Sequence, residues 1–336
     1  MPFALWNRRY TGSKYKLAGW IVSLIRENCM GTSFCDIFAG TGVISARMLD
    51  GVEELHLNDL LFSNQVIYHA FFGQETCDAD KLAALASLYG GLDAAGLAPN
   101  YMSEQFGGKF FSINDAKRIG FIRQHIEDRR GELTGREYAL LLASLLYAAD
   151  KAANTVGHYD AFIKKGPVPD RFDFDLVRPL DTAGKRICIT REDANALSRR
   201  LQSDIVYIDP PYNSRQYSRF YHVLENLAQW KKPALFGEAL KPEPENMSEY
   251  CRSTAPAAFD DLVTHLDCRY MVVSYNNTYR SKSSSSRNKI ELEQLLASLR
   301  KRGEVAVYEK PHPYFNAGKT AFADHKEYIF ICEVKN

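Results

Sequence analysis

Residues 33–42 read Ser-Phe-Cys-Asp-Ile-Phe-Ala-Gly-Thr-Gly, a brief apolar run that passes into a glycine-rich bend and from there opens a helix. The glycines permit a tight turn and let a ligand approach the backbone closely. The bend lacks the full GxGxxG of a pyrophosphate-binding fingerprint, so a ligand without phosphates is preferred over a dinucleotide, with a plain structural turn as the alternative. Outward from this unit, four more short runs rich in Ile, Val, Phe or Tyr have the character of buried strands: Glu54 to Leu57, Arg186 to Thr190, Ile205 to Ile208 and Tyr270 to Ser274. Most are followed by a helical pattern, which predicts βα units in a mainly parallel sheet. Residues 303–310 and 326–333 alternate apolar and polar positions with no long helix between them, as an antiparallel pair closing one edge would. Leu17, Trp20, Ile21, Leu24 and Ile25 predict an amphipathic helix over 14–28.

Between about 73 and 184 the strand signals vanish, and helical patterns appear near 80–90, 114–129 and 135–154. The expected organisation is a sheet domain of residues 1–72 and 185–336 with a helical lobe, 73–184, inserted into it. Within that lobe Lys109, Lys117, Arg118, Arg123, Arg129, Arg130 and Arg136 outnumber the acids, which suits either phosphate contact or a solvated helix face. The segment Thr278 to Lys289 holds Arg280, Lys282, Arg287 and Lys289 with a run of serines, and reads as a polar loop.

The remaining composition mainly excludes. With 336 residues and 46% hydrophobic content the chain is long enough for a large α/β domain plus a smaller lobe. A net charge of +1 leaves any nucleic-acid contact to local patches. The 7 cysteines are scattered and never spaced CxxC, arguing against a disulfide framework and against a zinc site, so no metal is expected. The opening residues lack the apolar core of a signal peptide and no apolar stretch is long enough to cross a bilayer; a cytoplasmic protein without a membrane partner is expected.

In open α/β sheets ligands bind beyond the carboxyl ends of the strands, and four of those ends here carry acids. Asp36 opens the first. Asn58-Asp59 ends the second, at the separation from the glycine turn where an acid accepts hydrogen bonds from ribose hydroxyls. Asp193 follows the third, placed for the adenine edge of a nucleoside. Both Asp59 and Asp193 are equally suited to cap a helix. The fourth is more specific: Asp204-Ile-Val-Tyr-Ile208 runs straight into Asp209-Pro210-Pro211-Tyr212. Two prolines remove two backbone donors and stiffen the turn, fixing carboxylate, carbonyls and ring together. Such a cluster suits an amino group on a flat ring: acid and carbonyl accept its two hydrogens while the tyrosine stacks on its face.

Taken with the Asp36 to Gly42 turn, Asp-Pro-Pro-Tyr resembles the Dam-like class of adenine-specific DNA methyltransferases. Arg9-Tyr-Thr-Gly-Ser-Lys14, Ala149-Asp-Lys-Ala-Ala-Asn-Thr-Val-Gly-His158 and Asn213-Ser-Arg-Gln-Tyr217 look most like its modification enzymes of the FokI type. The likeness runs from about residue 8 to the last strand pair. It implies a Rossmann-like methyltransferase sheet, S-adenosylmethionine as cofactor and double-stranded DNA as partner, with a cognate restriction endonuclease as a further one. It also implies roles. Tyr10, Gly12, Ser13 and Lys14 would border the cofactor's methionine end, with Lys14 near its carboxylate. Asp36, Phe38, Ala39, Gly40 and Gly42 would line the cradle, with Asn58 beside it. Asp59 would take the ribose and Asp193 the adenine. Asp209, Pro210, Pro211 and Tyr212 would hold a target adenine rotated out of the duplex. Arg215 and Tyr217, with Arg280, Lys282 and Arg287, are candidates to touch DNA. The lobe at 73–184 is expected to read the site, although no base-reading residue maps onto it.

Three other readings stay open on the sequence: an RNA adenine methyltransferase, cytosine amino methylation, and a non-catalytic DNA-binding protein that keeps the fold. Trp20 and Trp230 are expected in the core, and His158 in a structural hydrogen bond.

Overall fold

A computed structural model describes residues 3–277, 287–311 and 325–335. Seven strands form one sheet: β1 Ser33–Asp36, β2 Glu54–Asn58, β3 Arg186–Thr190, β4 Gln202–Ile208, β5 Asp267–Asn276, β6 Gly303–Pro311 and β7 Lys326–Val334, in the order β3-β2-β1-β4-β5-β7-β6. The first five are parallel, while β7 runs antiparallel to both β5 and β6. The mainly parallel sheet with an antiparallel carboxyl-terminal edge is therefore as expected. Ile205 to Ile208 on β4 and Tyr270 to Asn276 on β5 are buried without interruption, the continuous pattern of strands covered on both faces. At the β6 edge charge takes over, with Glu304, Glu309 and Lys310 blunting pairing by another chain. Strand order reverses between β1 and β4, so the crevice beyond their carboxyl ends is the switch point at which such sheets take ligands.

By packing, the chain divides into two compact units. The sheet unit comprises Lys14–Leu60, Gly184–Tyr217 and Asn246–Asn336; the helical unit comprises Met1–Ser13, Leu61–Ala183 and Ser218–Glu245. Reading the sequence placed 1–72 and 185–336 with the sheet; packing moves 1–13, 61–72 and 218–245 to the helical unit. The reason lies in the helix Phe62–Phe72, where Ile67, Tyr68, Ala70, Phe71 and Phe72 are all buried. It packs on the helix Gly135–Ala152, with Phe71 and Tyr147 ring centroids 5.8 Å apart. Its two first backbone N–H groups, at Phe62 and Ser63, donate to the Glu225 carboxylate at 3.0 and 2.8 Å. A helix apolar around most of its circumference must be enclosed by other helices, whatever its neighbours in sequence.

The helices of 73–184 start at side-chain caps: Asp78 before Ala79–Gly90, Asn100 before Tyr101–Phe106, Ser112 before Ile113–Asp128, and a Thr134/Glu137 capping box before Gly135–Ala152. The six-residue helix Tyr101–Phe106 is too short to register as a period. Part of the basic stretch is committed to contacts within the protein, and only Arg123 of it is buried. Arg123, 1% exposed, donates to the Leu227 carbonyl at 2.6 Å, Glu127 at 2.9 Å and the Tyr138 hydroxyl at 3.0 Å. Arg118 donates to the Leu92 carbonyl, and Arg129 and Arg130 pair with Glu132 and Glu127.

Two smaller expectations change. The helix expected over 14–28 begins at Ala18, because Leu17 N–H closes a turn onto the Lys14 carbonyl. Neither Trp20 nor Trp230 is a core residue: both are half-buried, Trp20 under the Lys310 ammonium and Trp230 donating to Gln124 at 2.9 Å.

Candidate functional site

The glycine turn is built as its residues require. Gly40 and Gly42 have φ of 52° and 73°, a region costly for residues with a Cβ. Ala39 N–H donates to the Asn58 carbonyl at 2.9 Å and Gly42 N–H to the Ala39 carbonyl at 2.7 Å, so the bend is tied both to β2 and to itself. Asp36, at the end of β1, is 1% exposed. One carboxylate oxygen accepts from the Ser45 hydroxyl at 2.8 Å; the other is buried with no hydrogen-bond partner among the described residues. Burial pushes the Asp36 carboxyl up to about 8, and the nearby Asp209 and Asp59 push the same way.

The neighbouring acids have differing local duties. Asp59 accepts from Gly40 N–H at 3.0 Å, which puts its carboxylate at the glycine turn. Asn58, expected beside the cofactor, is a staple between strand ends. Its amide donates to the Ile37 and Glu192 carbonyls at 3.0 and 3.1 Å and accepts from Thr190 Oγ1 and Glu192 N–H at 2.9 and 3.1 Å. All four positions of the amide are thus taken by protein. Asp193 caps the helix Ala194–Ser198, accepting from Asn195 and Ala196 N–H. Phe38 lies edge-on to Tyr250, with centroids 5.0 Å apart.

At the end of β4 the tetrapeptide forms a tight cluster with Lys14. Lys14 Nζ sits 3.0 Å from Asp209 Oδ1 and donates to the Tyr212 hydroxyl, which in turn donates to Asp209. The ammonium also lies over the Tyr212 ring, 4.6 Å from its centroid. Lys14, expected near the cofactor's carboxylate, is thus paired inside the tetrapeptide. The Lys14 side chain is only 6% exposed and that of Asp209 16%. Burial raises the Asp209 carboxyl above its ordinary range, while Lys14 and the Tyr212 hydrogen bond pull it back. Lys289 N–H donates to the Tyr212 carbonyl at 2.8 Å and Tyr275 meets the Tyr212 ring edge-on at 4.8 Å, fixing the phenol.

Downstream, Arg215 N–H donates to the Asn213 side chain at 3.1 Å, and Gln216 exchanges two hydrogen bonds with the Ser248 backbone. Arg215 and Tyr217 are half-buried and Arg287 is exposed; Arg280 and Lys282 lie outside the described residues. Tyr10, Gly12 and Ser13 belong to the helical unit. There Tyr10 stacks on Tyr221 at 4.9 Å and 7°, Thr11 N–H donates to the Tyr221 hydroxyl at 2.7 Å, and Gly12 turns with φ of 82°. Arg9 N–H donates to Asp150 at 2.9 Å, which gives the Ala149 to His158 stretch a structural task. His158 is structural too, accepting from Asp160 N–H at 3.3 Å.

One residue of the centre escaped the sequence. Glu327 is 6% exposed on β7, and Lys14, Asp209, Tyr207 and Tyr212 all fall within its electrostatic reach. An acid on an alternating edge pair reads as solvent-facing; only its register opposite Asn276 of β5 brings it to the strand ends. Among the described residues no group of His, Cys, Asp and Glu is placed to hold a metal ion, and no helix is long and apolar enough to cross a membrane.

Comparison with known proteins gives a consistent result. The family model for D12 class N6 adenine-specific DNA methyltransferase matches residues 10–277. The chain is 30% identical over 342 residues to the type II methyltransferase M.NlaIII of Neisseria lactamica, covering 96% of this chain and 98% of that one. It is 30% identical over 336 residues to M.CviAII of Paramecium bursaria Chlorella virus 1, covering 97% and 98%. Against M.FokI of Planomicrobium okeanokoites it is 29% identical over 347 residues, 97% of this chain and 52% of that protein.

Proposed function

Because this chain belongs to the D12 class of N6 adenine-specific DNA methyltransferases, we propose that its switch-point crevice brings S-adenosylmethionine and an adenine rotated out of duplex DNA together. The family's substrate sets aside RNA and cytosine as targets. A cofactor with a cationic methionine end, a ribose and no phosphate fits this strand-end set. Asp36 offers a buried carboxylate oxygen without a hydrogen-bond partner among the described residues, the left-handed glycines let the ligand approach the backbone, and Asp59 stands at the turn. Phe38 and Ala39 line the same bend, and Asp193 stands at the end of β3 for the cofactor's adenine edge. S-adenosylmethionine supplies an electrophilic methyl group on a sulfonium that is already a good leaving group.

The protein must then present a nucleophile. The amino nitrogen of adenine is a poor one, since its lone pair is delocalised into the ring. Asp209 and the Pro210 carbonyl accept its two hydrogens, favour a pyramidal nitrogen, and hold more strongly as positive charge develops there. Pro210 and Pro211 keep those acceptors at fixed spacing, so positioning needs no reorganisation at the moment of transfer. Tyr212 replaces the stacking lost when the base leaves the duplex. Arg215 follows on the same loop and Tyr217 opens the next helix, and both lie ready to contact the DNA strand, with Arg287 a further candidate. The helical unit, which contains most of 73–184, reads the flanking bases.

The M.NlaIII and M.CviAII relatives are type II methyltransferases. By extension this chain marks host DNA in the cytoplasm against a companion nuclease. The observation that carries the reading is the half-buried Asp209–Tyr212 cluster at the reversal of strand order, in the same sheet unit as an Asp36 with one carboxylate oxygen unpartnered among the described residues. Methyl-labelled cofactor incubated with duplex DNA and with structured RNA, followed by nucleoside analysis, tests it. N6-methyladenine from the duplex alone is expected; label in RNA, in cytosine or nowhere overturns it.

A further inference from the structure

In the closed cluster, Lys14 stands where the target base must go. Its ammonium pairs with Asp209 Oδ1 and donates to the Tyr212 hydroxyl. Asp209 is the acceptor assigned above to the adenine amino group, so the base cannot take it without displacing the lysine. Displacement alone is strongly disfavoured, because an ammonium this deeply buried would be left without a counter-ion. A second carboxylate is at hand. Glu327 is 6% exposed, its Oε2 is buried with no hydrogen-bond partner among the described residues, and Asn276 holds the other side of the carboxyl. Its register opposite Asn276 sets it at the level of the strand ends, two strands from Asp209.

We propose that Glu327 is a positioning residue that receives the Lys14 ammonium when the adenine amino group takes Asp209, so that the base enters and the lysine stays buried and paired. One neutral N–H donor then replaces the cation at Asp209, the other going to the Pro210 carbonyl, and the cation remains inside the site. Burial pushes the Glu327 carboxyl up to about 7, so it is readily neutral while Lys14 sits on Asp209; the arriving ammonium favours its charged form.

This inference rests on assigning Asp209 to the target amino group, and the two fail differently. Undiminished turnover in Asp209→Ala defeats the assignment itself. The inference is tested by Glu327→Gln, Lys14→Met and the double variant, each assayed for single-turnover methyl transfer to duplex DNA and for S-adenosylmethionine affinity by calorimetry. Glu327→Gln is expected to slow transfer roughly ten-fold with cofactor affinity within about two-fold, and to have no further effect once Lys14 is Met. Additive losses, or a loss confined to cofactor affinity, overturn the inference, since a purely structural role would slow both backgrounds alike. Should Glu327→Gln not fold, a crystal structure of Asp209→Asn decides. Lys14 Nζ within about 3.2 Å of Glu327 supports the transfer; Lys14 remaining at position 209 contradicts it.

Discussion

Arg123 in the helical unit and Asp36 in the sheet unit are both 1% exposed, yet the protein treats the two buried charges in opposite ways. Around Arg123 a carboxylate, a phenol and two main-chain carbonyls close every approach. Around Asp36 one oxygen is answered by Ser45 and the other by nothing among the described residues, while Asp209 and Glu327 are likewise held above their ordinary range by burial. A satisfied buried charge fixes a fold; an unsatisfied one is a cost the fold tolerates where a ligand will answer it. The contrast separates scaffold from site more sharply than burial or charge alone.

If this contrast is right, substitutions in the two regions should fail in different assays. The largest effect belongs to Asp209→Ala, expected to lower methyl transfer on the order of a thousand-fold or more while S-adenosylmethionine binding largely survives in calorimetry. Arg123→Met should instead cost about 1–3 kcal/mol of stability, read as a lower denaturant midpoint, because it takes a donor from the buried Leu227 and Ala228 carbonyls. Its residual folded fraction should turn over normally; a selective loss of turnover without loss of stability would erase the distinction. Tyr212→Ala should weaken capture of the extruded base by about 1–3 kcal/mol, seen as a ten- to hundred-fold rise in KM for DNA.

The smallest effect sharpens the comparison most. Asp36 titrates at about 8 in the folded protein, well above an unfolded aspartate at about 3.9. The native state therefore keeps a proton that the unfolded chain releases, and stability falls as pH rises through that window. Asp36→Asn removes this penalty. It should stabilise the free protein by about 1–3 kcal/mol at alkaline pH, leave it nearly unchanged near pH of about 4, and weaken cofactor binding. A variant less stable at alkaline pH would place Asp36 with Arg123 among the scaffold residues.

Much of this division was already legible in the residues. Short apolar runs placed the first five strands and apolar–polar alternation the last two, and Asp-Pro-Pro-Tyr marked the end of β4 as the candidate site because a structural turn needs neither that acid nor that ring. The helices were legible individually but their allegiance was not. Phe62–Phe72 follows β2 in sequence and packs with Gly135–Ala152, a choice made by its all-round apolar surface. Asn58 looked like part of a ligand site by its place next to Asp59, whereas a buried amide at a strand end is equally able to bind main chain, and here it does. Glu327 was hidden because alternation along β7 reports two faces without saying which one meets the strand ends. Lys14 was expected near the cofactor's carboxylate, but its partners lie 195 and 198 residues away along the chain, at Asp209 and Tyr212.

The central claim is that the acid, proline carbonyl and phenol at 209–212 grasp the amino edge of an extruded adenine. A crystal structure of the protein with its own methylation site in duplex DNA and a non-transferring cofactor analogue tests this directly. The account predicts the adenine outside the helix, N6 within hydrogen-bond distance of Asp209 and the Pro210 carbonyl, and the base on Tyr212 with the analogue's sulfonium position facing N6. An adenine still stacked in the duplex, or seated away from the glycine turn, contradicts it.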